Sequence, residues 1–260
     1  MSRSVFALDI TDFRPMNSRK PLEFLSWVTR RAGNDSNPDE TLAARLQAGG
    51  GGHDGIELVG AWYAVGVTGH KQFRAYSLYE CHGGWSGGWR QMMSLYDGVP
   101  DSLFLSSIDD LRFEATTIPL IGAAGSPAGD QLRSGSISGS FAMIEFATVR
   151  PGAARDYLDA VRRLRADVMS DYGHTLAGLY EVAFSLTGAC TLWVTDLDGH
   201  VALQRARDAT VGLDDAMAAD QRLAEWESRS LEFLSGDVRQ LMLAAYPGPV
   251  LSPRRRRFAT

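Results

Sequence analysis

One strand pattern occurs twice in this chain, and an internal repeat constrains the fold more than any single motif does. Residues 4–15 and residues 140–151 are both β-rich runs that end in Arg-Pro. Both runs have a carboxylate at the same place, Asp9 in the first and Glu145 in the second. Because proline has no N–H to donate to a sheet, each run is predicted to be a strand that ends here and passes into a helix.

A second match follows the first in the same order. Residues 58–63 and 176–181 share a Leu-x-Gly motif with aromatic side chains, and each is followed after a short turn by another strand-like run, at 73–79 and 190–196. A Leu-x-Gly motif carries little information alone. Its recurrence in register with the Arg-Pro strand indicates two copies of one structural unit.

Each copy is predicted to follow the β-α-β-β-α-β order of a ferredoxin-like unit. After Pro151 the apolar residues Tyr157, Val161, Leu164 and Val168 recur at helical spacing, and residues 21–31 take this part in the first copy. A later helix is marked by Leu223, Trp226, Ser230 and Leu234, and closing strands are predicted at 111–118 and 238–246.

The predicted fold class is therefore α+β, with two tandem ferredoxin-like repeats built on antiparallel sheets. The repeats are expected to span residues 1–121 and 139–260. Residues 122–138 are rich in Gly, Ser, Ala and Pro without apolar periodicity, which is typical of a flexible linker.

Composition excludes several classes of partner. The net charge of -5 argues against nucleic acid, which binds basic surfaces. No apolar run approaches the roughly 20 residues that span a bilayer, and no signal peptide is recognisable at the start. Cys81 and Cys190 are too few for a disulfide framework, so we expect buried, reduced thiols and a cytoplasmic protein.

Three segments of the second copy carry a resemblance to a known family. A strand passes into Arg-Pro-Gly at residues 146–152, a Leu-x-Gly-aromatic strand follows at 176–180, and Ser-Pro-Arg stands at 252–254. These segments resemble the dimeric α+β barrel superfamily and, within it, the NIPSNAP-like proteins. The likeness covers residues 139–254 well and the first copy more loosely, with Met16 where the second copy has Gly152.

The resemblance implies architecture more than activity, because these motifs are fold markers. Members of the superfamily include cofactor-free oxygenases of aromatic polyketides in secondary metabolism, isomerases and lyases. Others bind haem, such as aldoxime dehydratases and dye-decolourising peroxidases. An apolar ligand between sheet and helices is the common theme, and a homo-oligomer is plausible since such sheets often pair.

Two carboxylates are candidates for acid–base chemistry. Glu145 and Asp9 lie in the middle of predicted strands among apolar neighbours. In an apolar cavity such a carboxylate would have a raised pKa and would suit proton transfer. The alternative is an ion pair, with Arg74 or Arg112 as the partner, or a solvent-facing position.

Aromatic side chains of the first copy are candidates for substrate binding. Strand alternation places Glu57, Ala61 and Tyr63 on one face and Trp62 with Gly60 on the other. Residues 81–90 hold four glycines, two tryptophans and His82, which is typical of a ligand-binding loop; the alternative is a helix start packed on the sheet. The predicted substrate-binding residues are Trp62, Tyr63, Arg74, Tyr76, Trp85 and Trp89, and His82 is a catalytic candidate.

His174 follows a predicted helix and Gly173, so it is either part of a helix C-cap favoured by the dipole or a catalytic residue. His174 or His200 could be an axial haem ligand, although no Cys-x-x-Cys-His motif for covalent haem is present. No paired-histidine motif for zinc occurs.

These features lead to three functional hypotheses. The favoured one is an enzyme that acts on a small apolar or aromatic metabolite without a metal, with Glu145, His82, His174 and Asp9 as proton-transfer candidates. The second is a haem enzyme. The third is a binding protein without chemistry.

Overall fold

The computed structural model describes residues 4–13, 55–64, 73–96, 112–127, 129–133, 136–213 and 218–245. The chain divides into two compact units. The first unit comprises residues 1–120, 129–136 and 244–260, and the second comprises residues 121–128 and 137–243.

The first unit holds one four-stranded sheet. Its elements are β1 (Val5–Phe13), β2 (Gly55–Ala64), β3 (Phe73–His82), α1 (Gly84–Tyr96), most of β4 (Arg112–Gly122) and α2 (Gly129–Arg133). The strands lie in the order β4-β1-β3-β2, and β3 pairs antiparallel with both β1 and β2.

The second unit repeats this arrangement. Its elements are β5 (Phe141–Val149), α3 (Ala154–Ala160), a π-helical turn (Val161–Arg165), α4 (Ala166–Asp171), β6 (Thr175–Val182), β7 (Gly188–Thr195), α5 (Leu197–Thr210), α6 (Gln221–Ser230) and most of β8 (Leu234–Ala245). The strand order β8-β5-β7-β6 matches the order of the first unit, so the predicted class of α+β with tandem ferredoxin-like repeats is confirmed.

Strand register shows that the two units are true repeats. The first strands, β1 and β5, are both nine residues long and start directly after Ser4 and Ser140. Asp9 lies opposite Ser77, and Glu145 lies opposite Thr191. The predicted equivalence of the two carboxylates is therefore correct to the residue.

The Leu-x-Gly motif has a physical reason in both units. The register shifts between Leu58 and Gly60 in β2 and between Leu176 and Gly178 in β6, so each motif forms a β-bulge. The ring of Trp62 covers Gly60, and the ring of Tyr180 covers Gly178 so closely that a Cβ would meet the ring. Glycine is needed because the aromatic side chain two residues later folds back over it.

The bulge corrects one prediction about the faces of β2. Glu57 pairs with Glu80 and Ala61 pairs with Ser77, so Glu57 and Ala61 lie on opposite faces rather than on one. The extra residue of the bulge interrupts the alternation on which the prediction relied.

The helix after Pro151 also departs from regular periodicity. The π-helical turn makes one turn wider, and Leu164, predicted for the apolar face, is 46% exposed while Arg165 is 2% exposed. The later helix ends at Ser230, and Leu234, predicted to be helical, begins β8.

Part of the predicted linker is structured. Ala123 N donates to Leu179 O at 2.9 Å, and Leu179 N donates to Ser126 Oγ at 2.9 Å, so this stretch is bonded to β6. Helix α2 follows it. The domain limits 1–121, 122–138 and 139–260 remain a prediction, and the expected helix at 21–31 and the motif at 252–254 lie outside the described residues.

The core of the second unit lies between its sheet and its helices. Met143, Ala147 and Val149 of β5 pack against the buried faces of the helices, including Tyr157 and Trp226. Cys81 and Cys190 are buried free thiols, as predicted. Among the described residues, no helix has the length and apolar character needed to cross a membrane.

We predict that Gly178→Ala destabilises the protein by about 1 to 3 kcal/mol, because the added methyl group collides with the Tyr180 ring. Urea unfolding would measure this cost. In a Tyr180→Ala background the same glycine substitution should cost little, since the ring is gone. An equal cost in both backgrounds would show that the ring is not the reason for the glycine.

Candidate functional site

Glu145 lies at the centre of a buried network in the second unit. It occupies the middle of β5 on the face toward the helices and is 1% exposed. Thr191 Oγ1 donates to Glu145 Oε2 at 2.9 Å, and Trp193 Nε1 donates to the same oxygen at 3.1 Å. Gln240 Nε2 of β8 donates to Glu145 Oε1. Two strands, β7 and β8, therefore supply donors to a carboxylate on a third strand, β5.

Arg165 completes this network as the counter-ion. Its Nη1 donates to Glu145 Oε2 and its Nη2 donates to Oε1 at 2.8 Å, which forms a two-pronged ion pair. The guanidinium also lies over two indole rings, 5.2 Å from the centroid of Trp193 and 5.5 Å from that of Trp226. Arg165 is the last residue of the π-helical turn and is 2% exposed, whereas Leu164 before it is 46% exposed.

The ion pair decides the charge state of Glu145. Burial alone would raise its pKa, but the charge and hydrogen bonds of Arg165 and the hydrogen bond from Thr191 outweigh burial and lower the pKa from 4.5 to about 2. The predicted raised pKa is therefore wrong. The predicted partner is also wrong, because Arg74 pairs with Asp12 at 2.5 and 2.6 Å, and the side chain of Arg112 lies outside the described residues.

Gln240 connects this pair to a second arginine. While its amide nitrogen donates to Glu145, its Oε1 accepts from Arg207 Nη1 at 3.1 Å. Arg207 comes from α5, and its side chain is 23% exposed. Its Nε lies 3.9 Å from Glu227 Oε1, which is too long for a hydrogen bond. The network therefore extends from the fully buried Arg165 to the edge of the unit.

His174 stands beside these arginines with one nitrogen free. It follows Gly173, whose φ of 70° and position after α4 confirm the predicted C-cap, and it is 1% exposed. Its Nδ1 lies 3.0 Å from Tyr172 O, so the neutral ring donates from Nδ1 and keeps a lone pair on Nε2.

The charge expected on His174 is absent. Burial first, and then the positive charges of Arg165 and Arg207, lower the pKa of His174 from 6.5 to about 4. The prediction that a charged His174 interacts favourably with the helix dipole is therefore wrong, because the ring is neutral. Burial and Arg207 also lower the pKa of His200. Both histidines are neutral near pH 7.

Four buried side-chain nitrogens lack a hydrogen-bond partner within the part of the chain that the structure describes. They are Arg165 Nε, His174 Nε2, His200 Nδ1 and Arg207 Nε. Arg165 and Arg207 are linked by hydrogen bonds through Glu145 and Gln240, and after burial the charge of Arg207 lowers the pKa of both His174 and His200. Buried polar atoms without partners are rare in folded proteins and call for a reason. We call this group the basic cluster: Arg165, His174, His200 and Arg207.

The donor atoms of the basic cluster fit haem iron, but the space does not. A neutral histidine that donates from Nδ1 and keeps Nε2 free is the usual form of an axial ligand. Met169 and Trp193 are 0% and Trp226 is 5% exposed, so these core side chains of the second unit offer no accessible surface to a porphyrin. In the described residues, no three His, Cys, Asp or Glu side chains form a group that could hold a metal ion.

The equivalent carboxylate of the first unit has different surroundings. Thr117 Oγ1 donates to Asp9 Oδ1 at 2.6 Å. Burial raises the pKa of Asp9 and exceeds the lowering effect of Thr117, as predicted for this residue. Tyr79 of β3 takes the position of Trp193, and burial and the charge of Asp9 raise its pKa.

The predicted substrate-binding residues all lie in the first unit. Trp62 and Tyr76 lie opposite each other and are 1% exposed, so both are core side chains. Tyr63 and Trp85 are half-buried, and Arg74 is held by Asp12. Residues 84–90 form the start of helix α1, so the alternative of a helix start holds and not that of a loop. Trp89, however, is 68% exposed and is not packed on the sheet.

His82 is separate from the network around Glu145. Its Nε2 lies 3.0 Å from Glu57 Oε2, and the two side chains are 40% and 48% exposed. Of the four catalytic candidates, the structure places Glu145 and His174 in the second unit around Arg165, and Asp9 and His82 in the first unit. Their catalytic roles remain a prediction.

Sequence reasoning missed Arg165, Arg207 and Gln240. A signal for Arg165 existed, because it stands four residues from both Val161 and Met169, which are buried. The same spacing joins Leu203 and Arg207 on α5. For Gln240 no local signal exists, since it meets Glu145 only through the β5–β8 pairing.

Comparison with protein-family models and with curated proteins gives no match. Among solved structures, a proposed monooxygenase from Fusobacterium nucleatum is similar with a TM-score of 0.54 and 9% identity over 94% of this chain and 93% of that one. A proposed monooxygenase from Lactobacillus acidophilus has a TM-score of 0.51 and 9% identity over 94% and 95%. An anthrone oxidase-like protein has a TM-score of 0.48 and 9% identity over 94% and 92%. The first two likenesses show the fold, which is that of the dimeric α+β barrel proteins.

We predict that Glu145→Gln destabilises the protein by about 3 to 5 kcal/mol at neutral pH, because it leaves Arg165 buried without its counter-ion. Urea midpoints would measure the loss. The double substitution Glu145→Met with Arg165→Met should cost less than Glu145→Gln, since it removes both charges. A double variant less stable than Glu145→Gln would contradict this account.

Glu145 and His174 each make the stability of the protein depend on pH, and they do so in different pH ranges. The pKa of Glu145 is about 2 in the folded chain and 4.5 ordinarily, so protons favour unfolding and its stabilisation is lost from about pH 4.5 down to 2. For His174, with a pKa of about 4 against 6.5, protons also favour unfolding, and stability is lost from about pH 6.5 down to 4. Glu145→Gln should abolish the loss of stability between pH 4.5 and 2 and keep the loss between pH 6.5 and 4. His174→Asn should abolish the loss between pH 6.5 and 4 and keep the other.

Proposed function

We propose that this protein is an enzyme for a small, largely apolar molecule, and that its second unit transfers a proton with His174 as the base. The observation that carries the proposal is the set of four buried nitrogens without partners, of which His174 Nε2 is a basic lone pair. A ligand that supplies the missing partners is a direct reason for such a cluster.

The proposed step uses the free nitrogen of His174. Nε2 takes a proton from an acidic C–H or O–H of the substrate, and the bonding electron pair remains on the substrate as an enolate or phenolate. The hydrogen bond from Nδ1 to Tyr172 O fixes the tautomer that leaves Nε2 free. Return of the proton to another substrate atom completes an isomerisation.

Arg165 and Arg207 supply the stabilising charge. A negative oxygen that develops beside these two guanidinium groups is stabilised by their positive charge. Glu145 has a positioning role here, because its low pKa and five hydrogen bonds make it a poor base and a firm anchor for Arg165.

The proposal also covers the kind of reaction that the enzyme carries out. A cofactor-free oxygenase, an isomerase and a lyase can all begin with this deprotonation, and the oxygenase then needs dioxygen as a second substrate. The proposed monooxygenases of the same fold support the oxygenase among these. A NIPSNAP-like origin, a cytoplasmic location and a homo-oligomeric state are further proposals.

The test follows hydrogen exchange in D2O by NMR, with benzoylacetone and 2-tetralone as apolar aromatic C–H acids. We expect the wild-type protein to accelerate loss of the acidic C–H signal, and His174→Asn to reduce that acceleration by about 100-fold or more. Asparagine is chosen because its amide nitrogen can replace Nδ1 as donor while Nε2 is lost. Since the pKa of His174 is about 4, the rate should be constant from pH 6 to 8 and fall only near pH 4.

His82→Asn is the matched control, because His82 lies in the first unit and should leave the rate unchanged. Full activity in His174→Asn, or no acceleration of either probe by the wild-type protein, would overturn the proposal and favour a binding protein without chemistry. Far-ultraviolet circular dichroism and the urea midpoint at pH 7 would show that the variant is folded.

A further inference from the structure

We propose that Asp220, Tyr172 and Gly199 are positioning residues for the proposed reaction, because they fix the backbone carbonyl that holds His174 in the tautomer with a free Nε2. The inference rests on the proposed function and adds the residues that keep the base in its reactive form. His174 Nε2 has no hydrogen-bond partner among the described residues, so all three residues act through the carbonyl of Tyr172.

The carbonyl of Tyr172 decides which ring nitrogen of His174 carries the proton. Nδ1 lies 3.0 Å from Tyr172 O, and a carbonyl oxygen can only accept, so Nδ1 donates and Nε2 keeps the lone pair. If this carbonyl turned away, Nδ1 would lose its acceptor and the proton would be free to move to Nε2. His174 would then have no base on the nitrogen that the reaction needs.

The peptide group between Tyr172 and Gly173 sets the direction of this carbonyl. Helix α4 ends in a Schellman motif, in which His174 N donates to Met169 O and Gly173 N donates to Ser170 O, both at 2.9 Å. The second of these bonds belongs to the same peptide group as Tyr172 O. Because one hydrogen bond is a modest constraint and glycine adopts other φ values easily, further contacts add to the fixation of this group.

Asp220 holds Tyr172 by its side chain. Tyr172 Oη donates to Asp220 Oδ2 at 2.7 Å, while Asp220 Oδ1 accepts from Arg222 N at 2.8 Å and from Leu223 N at 3.3 Å as the N-cap of α6. The Asp220 side chain is 15% exposed. Burial opposes its ionisation, but the hydrogen bonds from Tyr172 and from the helix start outweigh burial and lower its pKa. The tyrosine ring is therefore tied to an ionised carboxylate at the start of α6.

Gly199 of α5 confines the carbonyl itself. A Cβ at Gly199 would lie 2.7 Å from Tyr172 O and 3.3 Å from Gly173 O, so the helix backbone packs closely against this peptide group. The same Cβ would lie 2.6 Å from Thr195 Oγ1. Alanine is the better helix former, and Gly199 is the third residue of α5, so the close approach is the physical reason for glycine here. A larger residue would displace the carbonyl that His174 Nδ1 needs.

The orientation of one peptide group at the end of α4 thus depends on two other helices of the second unit. Helix α6 holds the side chain of Tyr172 through Asp220, and helix α5 leaves room for its carbonyl at Gly199. All the contacts in this chain of residues are direct. His174 is therefore kept in one tautomer without a group that occupies Nε2.

The test reads the tautomer directly from ¹⁵N NMR spectra of the full chain at pH 7, because protonated and unprotonated ring nitrogens have well-separated chemical shifts. Asp220→Ser keeps one oxygen for the helix cap but has no second oxygen for Tyr172, and Tyr172→Phe removes the hydroxyl. We expect each to raise the fraction of His174 with a proton on Nε2 by about 3- to 10-fold. The exchange rate of benzoylacetone in D2O should fall in proportion to the fraction that keeps Nε2 free.

Gly199→Ala should have the larger effect and protonate Nε2 in more than half of the molecules, since a contact with backbone cannot be relieved by rotation of a side chain. A Thr195→Ala background should leave this effect in place, because it removes only the contact with Thr195 Oγ1. Arg222→Gln is the matched control: it removes the ion pair of 2.7 Å from the start of α6 to Asp171, on side chains that are 56% and 57% exposed. It should leave the tautomer and the rate unchanged.

Unchanged nitrogen shifts of His174 in Gly199→Ala, or in both Asp220→Ser and Tyr172→Phe, would overturn the inference. The double variant of Asp220→Ser with Tyr172→Phe should change the tautomer no more than the larger single substitution, since both remove one contact. Additive effects would contradict the assignment of that contact. The urea midpoint at pH 7 shows whether each variant is folded.

The two proposals fail in different ways. If the substitutions shift the tautomer as expected while the wild-type protein does not accelerate exchange, the control of the His174 tautomer stands and the proposed reaction falls. If exchange depends on His174 while the tautomer is the same in Asp220→Ser and Gly199→Ala, the reaction stands and the positioning roles are wrong.

Discussion

The ion pair between Glu145 and Arg165 is the interaction on which the second unit depends. Removing two charges from water is costly, and the cost is offset only when the charges meet directly and every remaining lone pair finds a donor. Thr191, Trp193 and Gln240 provide those donors from β7 and β8, and the indole rings of Trp193 and Trp226 face the guanidinium. The pair therefore ties the sheet to the helical layer at one point.

The two units show how one strand register supports two kinds of chemistry. In each, a carboxylate on the first strand faces a hydroxyl on the third strand, Asp9 with Ser77 and Glu145 with Thr191. Beside them stands an aromatic donor, Tyr79 or Trp193. Burial raises the pKa of Asp9, whereas Arg165 lowers that of Glu145. The repeat fixes where the carboxylate lies, and the neighbouring cation fixes its charge state.

Sequence patterns predicted the parts of the fold that follow from regular geometry. The repeat, the ferredoxin-like order, the C-cap at Gly173 and the equivalence of Asp9 with Glu145 all rest on spacing along the chain, and all hold. The β-bulges and the π-helical turn are irregular by nature, so alternation and helical periodicity misplaced Glu57 and Leu164. The partner of Glu145 was missed although Arg165 stands four residues from the buried Val161 and Met169, because a charged side chain is not expected on the buried face of a helix.

The burial of His174 could not be read from its neighbours in sequence, since the elements that enclose it are separated along the chain. A helix end with a glycine and a histidine is equally compatible with an exposed, charged ring. Its burial depends on α5 and on the arginines, which sequence spacing does not bring together. The predicted part of the site therefore follows from spacing along the chain. The part that was not predicted depends on charges that lie far apart in the sequence.

The same charges connect the proposed base to the proposed substrate. A histidine with a pKa of about 4 is a weak base at neutral pH, and taken alone this would make His174 a poor catalyst. However, Arg165 and Arg207, which disfavour a positive charge on His174, equally favour a negative charge on a bound oxygen. The substrate pKa then falls together with the pKa of the base, and the difference that governs proton transfer stays small. A basic cluster with neutral histidines is therefore suited to substrates that become anionic as they react.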